Sequence, residues 1–309
     1  MDVLQDNLIS LVMRTVGGRP REIQRALASV AANTFRPIEV IVVYQGNDLA
    51  ERQFLNTLQD EYRDLTIRVL NNTAVGDRRA ENLNIGWEKA SGRYLGFLDD
   101  DDTLESHHCA LLVAELKQSG AVWSYAQTTL RKEDDKLVIV EQSQPFRRHE
   151  FSVVGLWTEN FIPIHSFMVD RAKLVEELRK RPFCEELDRS EDWDFLIRLG
   201  FFHAPSLVDE FTCNYYVSTS VRNTNLSLMD NNDVERQARN RQAWLRCKAL
   251  VEQRKNELLD RVWWAKDFFS GALPRPAQSP AVDKKKQVGV LFLRRRIVRA
   301  LIRRLERLL

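Results

Sequence analysis

Paired cysteines, a long apolar run and a leader-like opening are all missing from these 309 residues. The four cysteines, Cys109, Cys184, Cys213 and Cys247, are scattered without paired spacing, which argues against a disulfide frame and for reduced thiols in a cytosolic setting. No apolar stretch reaches the roughly 20 residues that cross a bilayer, and the opening residues show no charged-then-apolar signal pattern. No internal repeat is evident. A large excess of one charge is missing too, since the formal net charge is +2. A chain of this length has room for one large α/β domain plus an appendage.

What is present begins with a run of acids. An apolar strand, Leu95-Gly96-Phe97-Leu98, leads straight into Asp99-Asp100-Asp101-Asp102. Unpaired charge at the rim of a core costs several kcal/mol of desolvation, and neighbouring carboxylates repel. A divalent cation relieves both problems, and hard oxygen ligands suit Mg²⁺ or Mn²⁺. On an extended backbone Asp99 and Asp101 point the same way and can address one ion. The competing reading is a solvated acidic turn in which Asp102 caps a helix starting near Leu104.

Around this run, strands and helices alternate. The pattern predicts strands at 9–13, 38–43, 65–70 and 94–98, and helices at 21–32, 49–62 and 78–90. Pro20 stands at a helix-start position, with Ile23, Leu27 and Val30 on one face of the helix that follows. Ile38 to Val43 is nearly continuous and β-branched, the mark of a strand covered on both faces. The fold class expected is therefore α/β, with a mostly parallel central sheet flanked by helices. Ligands in such folds sit beyond the carboxyl ends of the strands, where the aspartates fall.

Three stretches carry a family resemblance. Met13-Arg14-Thr15 with Arg19-Pro20, Ala26 to Val30 and Ile38 to Val43 make the first. The second is Arg78 through Asp102, with Asn82, Gly86, Ala90 and Gly92. The third is Ser190-Glu191-Asp192-Trp193-Asp194-Phe195-Leu196-Ile197-Arg198-Leu199. In this order they resemble the family-2 glycosyltransferases over roughly residues 8–225. The resemblance implies a GT-A fold, a Rossmann-like nucleotide-binding half to about residue 125, and an acceptor half after it. It also implies a metal-binding Asp-X-Asp at Asp99 and Asp101, with Asp100 beside the donor, and a catalytic base in the Glu191-Asp192 segment.

The chemistry fits that assignment. Transfer from a nucleotide-sugar expels a diphosphate whose developing charge a cation neutralises. The acceptor hydroxyl has a very high pKa and needs a carboxylate within hydrogen-bond reach. Asp192 is the expected base, with Asp194 as runner-up or orienting group; alternatively Glu191 and Asp192 only favour a helix N-terminus. Thr15, Arg78, Arg79 and Asn82 are donor-side candidates, the arginines having surface positions as their alternative. Many family members carry an acidic pair after the second strand. Tyr44-Gln45 stands there instead, so a glutamine on a base edge and a stacked tyrosine replace carboxylate recognition. The default donor is a UDP-sugar, and the metal is Mn²⁺ or Mg²⁺.

His165 lines the acceptor pocket or is a satisfied core histidine. His107 and His108 are expected on the solvent side. Trp193, with Trp123 and Trp157, either stacks on a sugar ring or packs in the core. Ser218 to Asn225 reads as a lid over the donor or as a plain surface loop.

The tail differs from the body. From Lys284 to Leu309 ten basic residues face one acid, Glu306, while the rest holds 36 basic and 43 acidic residues. Ile297, Val298, Leu301, Ile302, Leu305, Leu308 and Leu309 recur at helical spacing, with Arg295, Arg299, Arg303 and Arg307 opposite. Such a helix suits an anionic membrane surface, or else docking on the acidic body or a second subunit as a homo-oligomer. Nucleic acid fits poorly, because the apolar stripe would stay exposed. The expected organisation is a GT-A domain over 1–230, a helical extension over 231–270, a Pro-containing linker over 271–281 and the basic helix over 282–309. The expected function is metal-dependent, inverting sugar transfer to a glycan or lipid-linked acceptor at the cytoplasmic membrane face. A catalytically silent sugar-nucleotide-binding or glycan-binding module and a nucleotidyltransferase are the alternatives. The last leaves Glu191-Asp192 without a role.

Overall fold

The computed structural model describes residues 4–219 and 234–262. It divides into two compact units, 1–255 and 256–309, and the fold below is that of the first. The alternation read from sequence is found as β1 (Gln5–Thr15), α1 (Pro20–Ala31), β2 (Ile38–Gln45), α2 (Leu49–Glu61), β3 (Thr66–Asn72), α3 (Arg79–Lys89) and β4 (Gly92–Phe97). The strands exceed the apolar runs that signalled them. β1, for example, extends at both ends through polar residues that still pair with β2 and β4.

The four strands form the parallel block β3-β2-β1-β4. After it the sheet turns mixed. β5 (Thr103–Leu104), β6 (Trp123–Glu133), β7 (Ile139–Ser143), β8 (Phe167–Asp170) and β9 (Ser206–Ser218) continue it, with β8 antiparallel to both β4 and β6. α4 (His108–Ser119), α5 (Val153–Thr158), α6 (Glu191–Phe202) and α7 (Val234–Asp260) complete the elements. The helix expected near Leu104 begins only at His108, because Thr103 and Leu104 are taken by pairing with β9. Around His165 the chain makes a 3₁₀ turn at Ile164–Ser166 that leads into β8.

Two apolar layers cover the sheet. One joins Ile9, Leu11, Met13, Val40 and Val42 to Ile23, Leu27, Val30, Leu55 and Leu112 from the helices. The other is aromatic: Trp87 of α3, Phe97 of β4, Phe167 of β8, Phe195 of α6 and Phe183 of the segment before α6 meet with ring centroids 4.8–6.5 Å apart. This second layer seats α6 against the end of β4. α3 lies close on β1 because Gly86 has no side chain; a Cβ there would stand 2.2 Å from Val12 Cγ1. Trp123 is a core residue, donating its indole N–H to the His203 carbonyl at 2.7 Å.

Candidate active site

The aspartates do not continue β4. Residues 98–102 form a turn in which Asp102 N–H donates to the Asp99 carbonyl at 3.2 Å. Alternate side chains share a face only on an extended backbone, so the expectation that Asp99 and Asp101 point together does not hold here. Each carboxylate has its own partners. Asp99 accepts from Arg14 Nε at 2.8 Å and Nη2 at 3.1 Å. Asp100 accepts from the Thr15 hydroxyl and from Arg19 at 3.3 Å, and Asp101 accepts from Arg19 at 2.8 Å. Gly17 and Gly18, both at positive φ, make the tight turn after Thr15 that brings Arg19 to this cluster.

Asp102 caps no helix. One oxygen accepts from Tyr216 N–H at 2.8 Å and the other lies 2.8 Å from His165 Nδ1, with both side chains fully buried. His165, stacked against Tyr215, therefore offers no surface to an acceptor. His108 corrects the solvent-side expectation: it is buried, 2.8 Å from the Thr212 hydroxyl, and burial pushes its pKa down to about 3. His107 is the exposed one of the pair, facing Glu210.

Charge is unevenly shared along the turn. Burial works to raise Asp99, but the Arg14 guanidinium overcomes it and holds the group below the ordinary carboxylate value. Burial pushes Asp100 up to about 6 against the pull of Arg19. For Asp101, burial and then the charges of Asp102 and Asp100 drive the pKa well up, although a third of its side chain meets solvent.

The second half of the site is the first turn of α6. It is entered through Ser190, whose φ of 61° is costly for a residue with a side chain. Glu191 is buried and accepts from Arg14 Nη1. Asp192 accepts from Asn160 Nδ2 at 3.0 Å and from Trp193 N–H at 2.8 Å. Burial, then the charge of Glu191, push its pKa up to about 6. Asp194 is different. Arg198 grips it at 2.8 and 3.1 Å, and Arg254 of α7 at 2.6 Å. It is buried and doubly ion-paired, an anchor between α6 and α7 rather than a free base. Trp193 donates to the Leu156 carbonyl at 2.7 Å, with the Lys255 ammonium 4.3 Å from its ring.

The donor-side candidates gather at the carboxyl ends of β2 and β3. Tyr44 is in the core, its hydroxyl accepting from Asp48 N–H at 3.3 Å, so it presents no ring for stacking. Gln45 donates to the Ala74 and Gly76 carbonyls and accepts from Asn82 at 3.0 Å. Asn82 in turn accepts from Asn72 at 2.8 Å. This amide chain shapes the loop and leaves Gln45 one lone pair. Arg79 forks onto Asp77, and Arg78, largely exposed, donates to the Val75 carbonyl. A cleft of about 730 Å³ opens here, between Val75 to Arg78, Glu185, Asp188 and Arg246.

The model for glycosyl transferase family 2 matches residues 10–179 of this sequence. The chain belongs to that family. An uncharacterized glycosyltransferase of Methanocaldococcus jannaschii is 22% identical over 218 residues, covering 68% of this chain and 71% of the relative. One from a Nostoc species is 27% identical over 161 residues, 51% and 49% of the two chains. Among solved structures, residues 1–349 of S. aureus TarS bound to UDP-GlcNAc superpose at a TM-score of 0.52 with 18% identity, covering 87% of this chain and 76% of that one. The chain spans 46% of the longer TarS structure. A Pyrobaculum calidifontis mannosyltransferase, solved with GDP-Man and Mn²⁺, gives 0.51 at 12% identity, covering 89% and 79%. At these identities the likeness is one of fold, and the fold is GT-A.

In this glycosyltransferase the aspartate turn fits a divalent cation unequally. The described residues contain no cluster of three or more His, Cys, Asp or Glu arranged to hold a metal ion. Asp101 fits by chemistry, as a hard oxygen donor with a solvent edge whose negative charge is under-compensated. Asp99 has both oxygens engaged by Arg14. Arg14 and Arg19 were missed as site residues from sequence. Their signal is strand register: β1 pairs with β4 through Val12 and Phe97, which sets Arg14 opposite Asp99 two residues on. That register exists only once the pairing is known.

Proposed function

We propose that this glycosyltransferase transfers a sugar from a nucleotide-sugar to an acceptor hydroxyl with inversion, Asp192 acting as base. The observation that carries this reading is Asp192 itself, a half-buried carboxylate raised to about 6 and joined through Glu191 and Arg14 to the aspartate turn. With that pKa it is ionised at neutral pH yet basic enough to take a proton. The acceptor oxygen attacks the anomeric carbon as Asp192 removes its proton, and the bond to the diphosphate breaks. Asn160 and the Trp193 N–H fix the orientation of the carboxylate during this step.

Asp101 would hold Mn²⁺ or Mg²⁺ with the donor diphosphate, and Asp99 would join it if the Arg14 fork opens. A bound cation there supplies Lewis-acid neutralisation of the leaving diphosphate. Arg79, near Arg14 and Glu191, and Arg78 flank the phosphate path, and the acceptor is the hydroxyl of a glycan or a lipid-linked sugar. TarS structures hold UDP and UDP-GlcNAc, and the mannosyltransferase holds GDP-Man, so uridine and guanosine sugars are the donors to screen first. Residues 263–309, with the basic helix proposed to bind an anionic membrane face, lie outside the described residues, as does Ser220 to Asn225 of the proposed lid. Among the described residues no helix is long and apolar enough to cross a membrane.

The test is donor hydrolysis and transfer by purified protein with Mn²⁺, wild type against Asp192→Asn. Turnover by wild type, with a loss of roughly a hundredfold or more in the variant and donor affinity kept, supports the reading. Donor binding without turnover in wild type would make the protein a sugar-nucleotide-binding module instead.

A further inference from the structure

We infer that Arg14 is a positioning residue for the reaction, one guanidinium that locks the base-bearing helix α6 to the donor-side aspartate turn. The inference rests on the assignment of Asp192 as base. Arg14 stands at the carboxyl end of β1, at the centre of the parallel block. Its Nε and Nη2 hold the two oxygens of Asp99, and its Nη1 holds Glu191. Its own side chain is 16% exposed, and Glu191 is 2% exposed. A fork that satisfies two carboxylates from separate elements sets their separation more firmly than a point charge can. Glu191 is the residue before Asp192, so the same contact fixes where the base stands relative to the donor turn.

The contact also tunes the base. The groups facing Asp192 are Glu191 on its own helix, Arg14 from β1, Asn160 from the segment after α5, and Tyr215 from β9. Glu191 raises Asp192, and Arg14 and Asn160 lower it. Arg14 thus offsets at Asp192 part of the repulsion from the acid it holds in place.

The two functions of Arg14 separate by substitution. Arg14→Lys keeps the charge but loses the planar fork that grips both Asp99 oxygens and Glu191 at once, so kcat falls at least tenfold while the acid limb of the pH–rate profile stays in place. Arg14→Gln loses both, so kcat falls and the acid limb moves up by roughly one pH unit, the scale on which a neighbouring charge moves a carboxylate. Glu191→Gln moves the limb the other way. Because Arg14→Gln leaves Glu191 buried without its hydrogen-bonded cation, the double variant Arg14→Gln/Glu191→Gln is measured beside it. That pair removes both charges and keeps the test valid if the single variant does not fold. It is expected to fold, to turn over slowly and to return the limb toward wild type. Turnover within twofold of wild type in folded Arg14→Lys and in the double variant would overturn the inference, as would limbs that move together in Arg14→Gln and Glu191→Gln. Asp192→Asn serves as control: if it turns over normally, the base assignment itself has failed, and if it is inactive while the Arg14 variants are normal, only the coupling has.

Discussion

Asp192 shows how one residue sets activity and stability in opposite directions. Its pKa, raised from 3.8 to about 6 mainly by burial, places the acid limb of kcat/KM near pH 6, because that ratio reports the free enzyme, and a pH–rate profile will show it. The folded state binds this proton more tightly than the unfolded chain. The ionised form therefore carries no penalty below pH 3.8, a growing one up to about pH 6, and the full one above it. Asp192→Asn should accordingly stabilise the protein at pH 8, by on the order of 2 kcal/mol. The gain should vanish at pH 3.5, as followed by denaturant unfolding at both pH values. Asp101 is the neighbouring case. Asp101→Ala should fold normally and lose the Mn²⁺-dependent part of donor affinity in calorimetry, and unchanged metal dependence would remove the cation from this carboxylate. Both residues were legible in the sequence as acids at strand or helix ends. Arg14 was not, because its partners are 85 and 177 residues away along the chain.

At the scale of elements, α6 is held from two directions. Its apolar side sits in the aromatic layer, and Asp194 bolts its first turn to α7 through Arg254 and to its own second turn through Arg198. Asp194→Ala strips a buried carboxylate from two arginines and should cost about 3–5 kcal/mol in chemical denaturation. Arg254→Ala leaves Arg198 in place and should cost less than half as much. A full-sized loss of turnover in folded Asp194→Ala, with little loss of stability, would return Asp194 to the list of bases. The parallel block was readable from alternation because a parallel strand buried on both faces must be apolar along its length. β7 and β5 were not. β7 is exposed except at Ser143, β5 is two residues long, and neither carries a periodic signal.

For the whole molecule, the uneven charge distribution is the property that bears on function. The basic residues of 284–309 are expected to hold the enzyme on anionic membrane, each contributing about 1 kcal/mol near the surface and weakening as salt rises. Truncation at Pro280 should leave donor hydrolysis intact and abolish sedimentation with anionic vesicles at low salt. Full-length protein that ignores such vesicles, or a truncation that splits a stable dimer, would assign the tail to a protein contact.

By itself the sequence determined the family, the order of strands and helices in the first half, and the two acidic stretches proposed as the site. These are local properties, written in periodicity and in the types of adjacent residues. Tertiary structure alone decided how each acid is held. Asp99 is taken by Arg14, Asp194 by two arginines and Asp102 by His165, Asp101 meets Arg19 at a solvent edge, and Asp192 accepts from Asn160. The same residue type carries five different environments, because a carboxylate's charge is set by burial and by partners brought from distant strands.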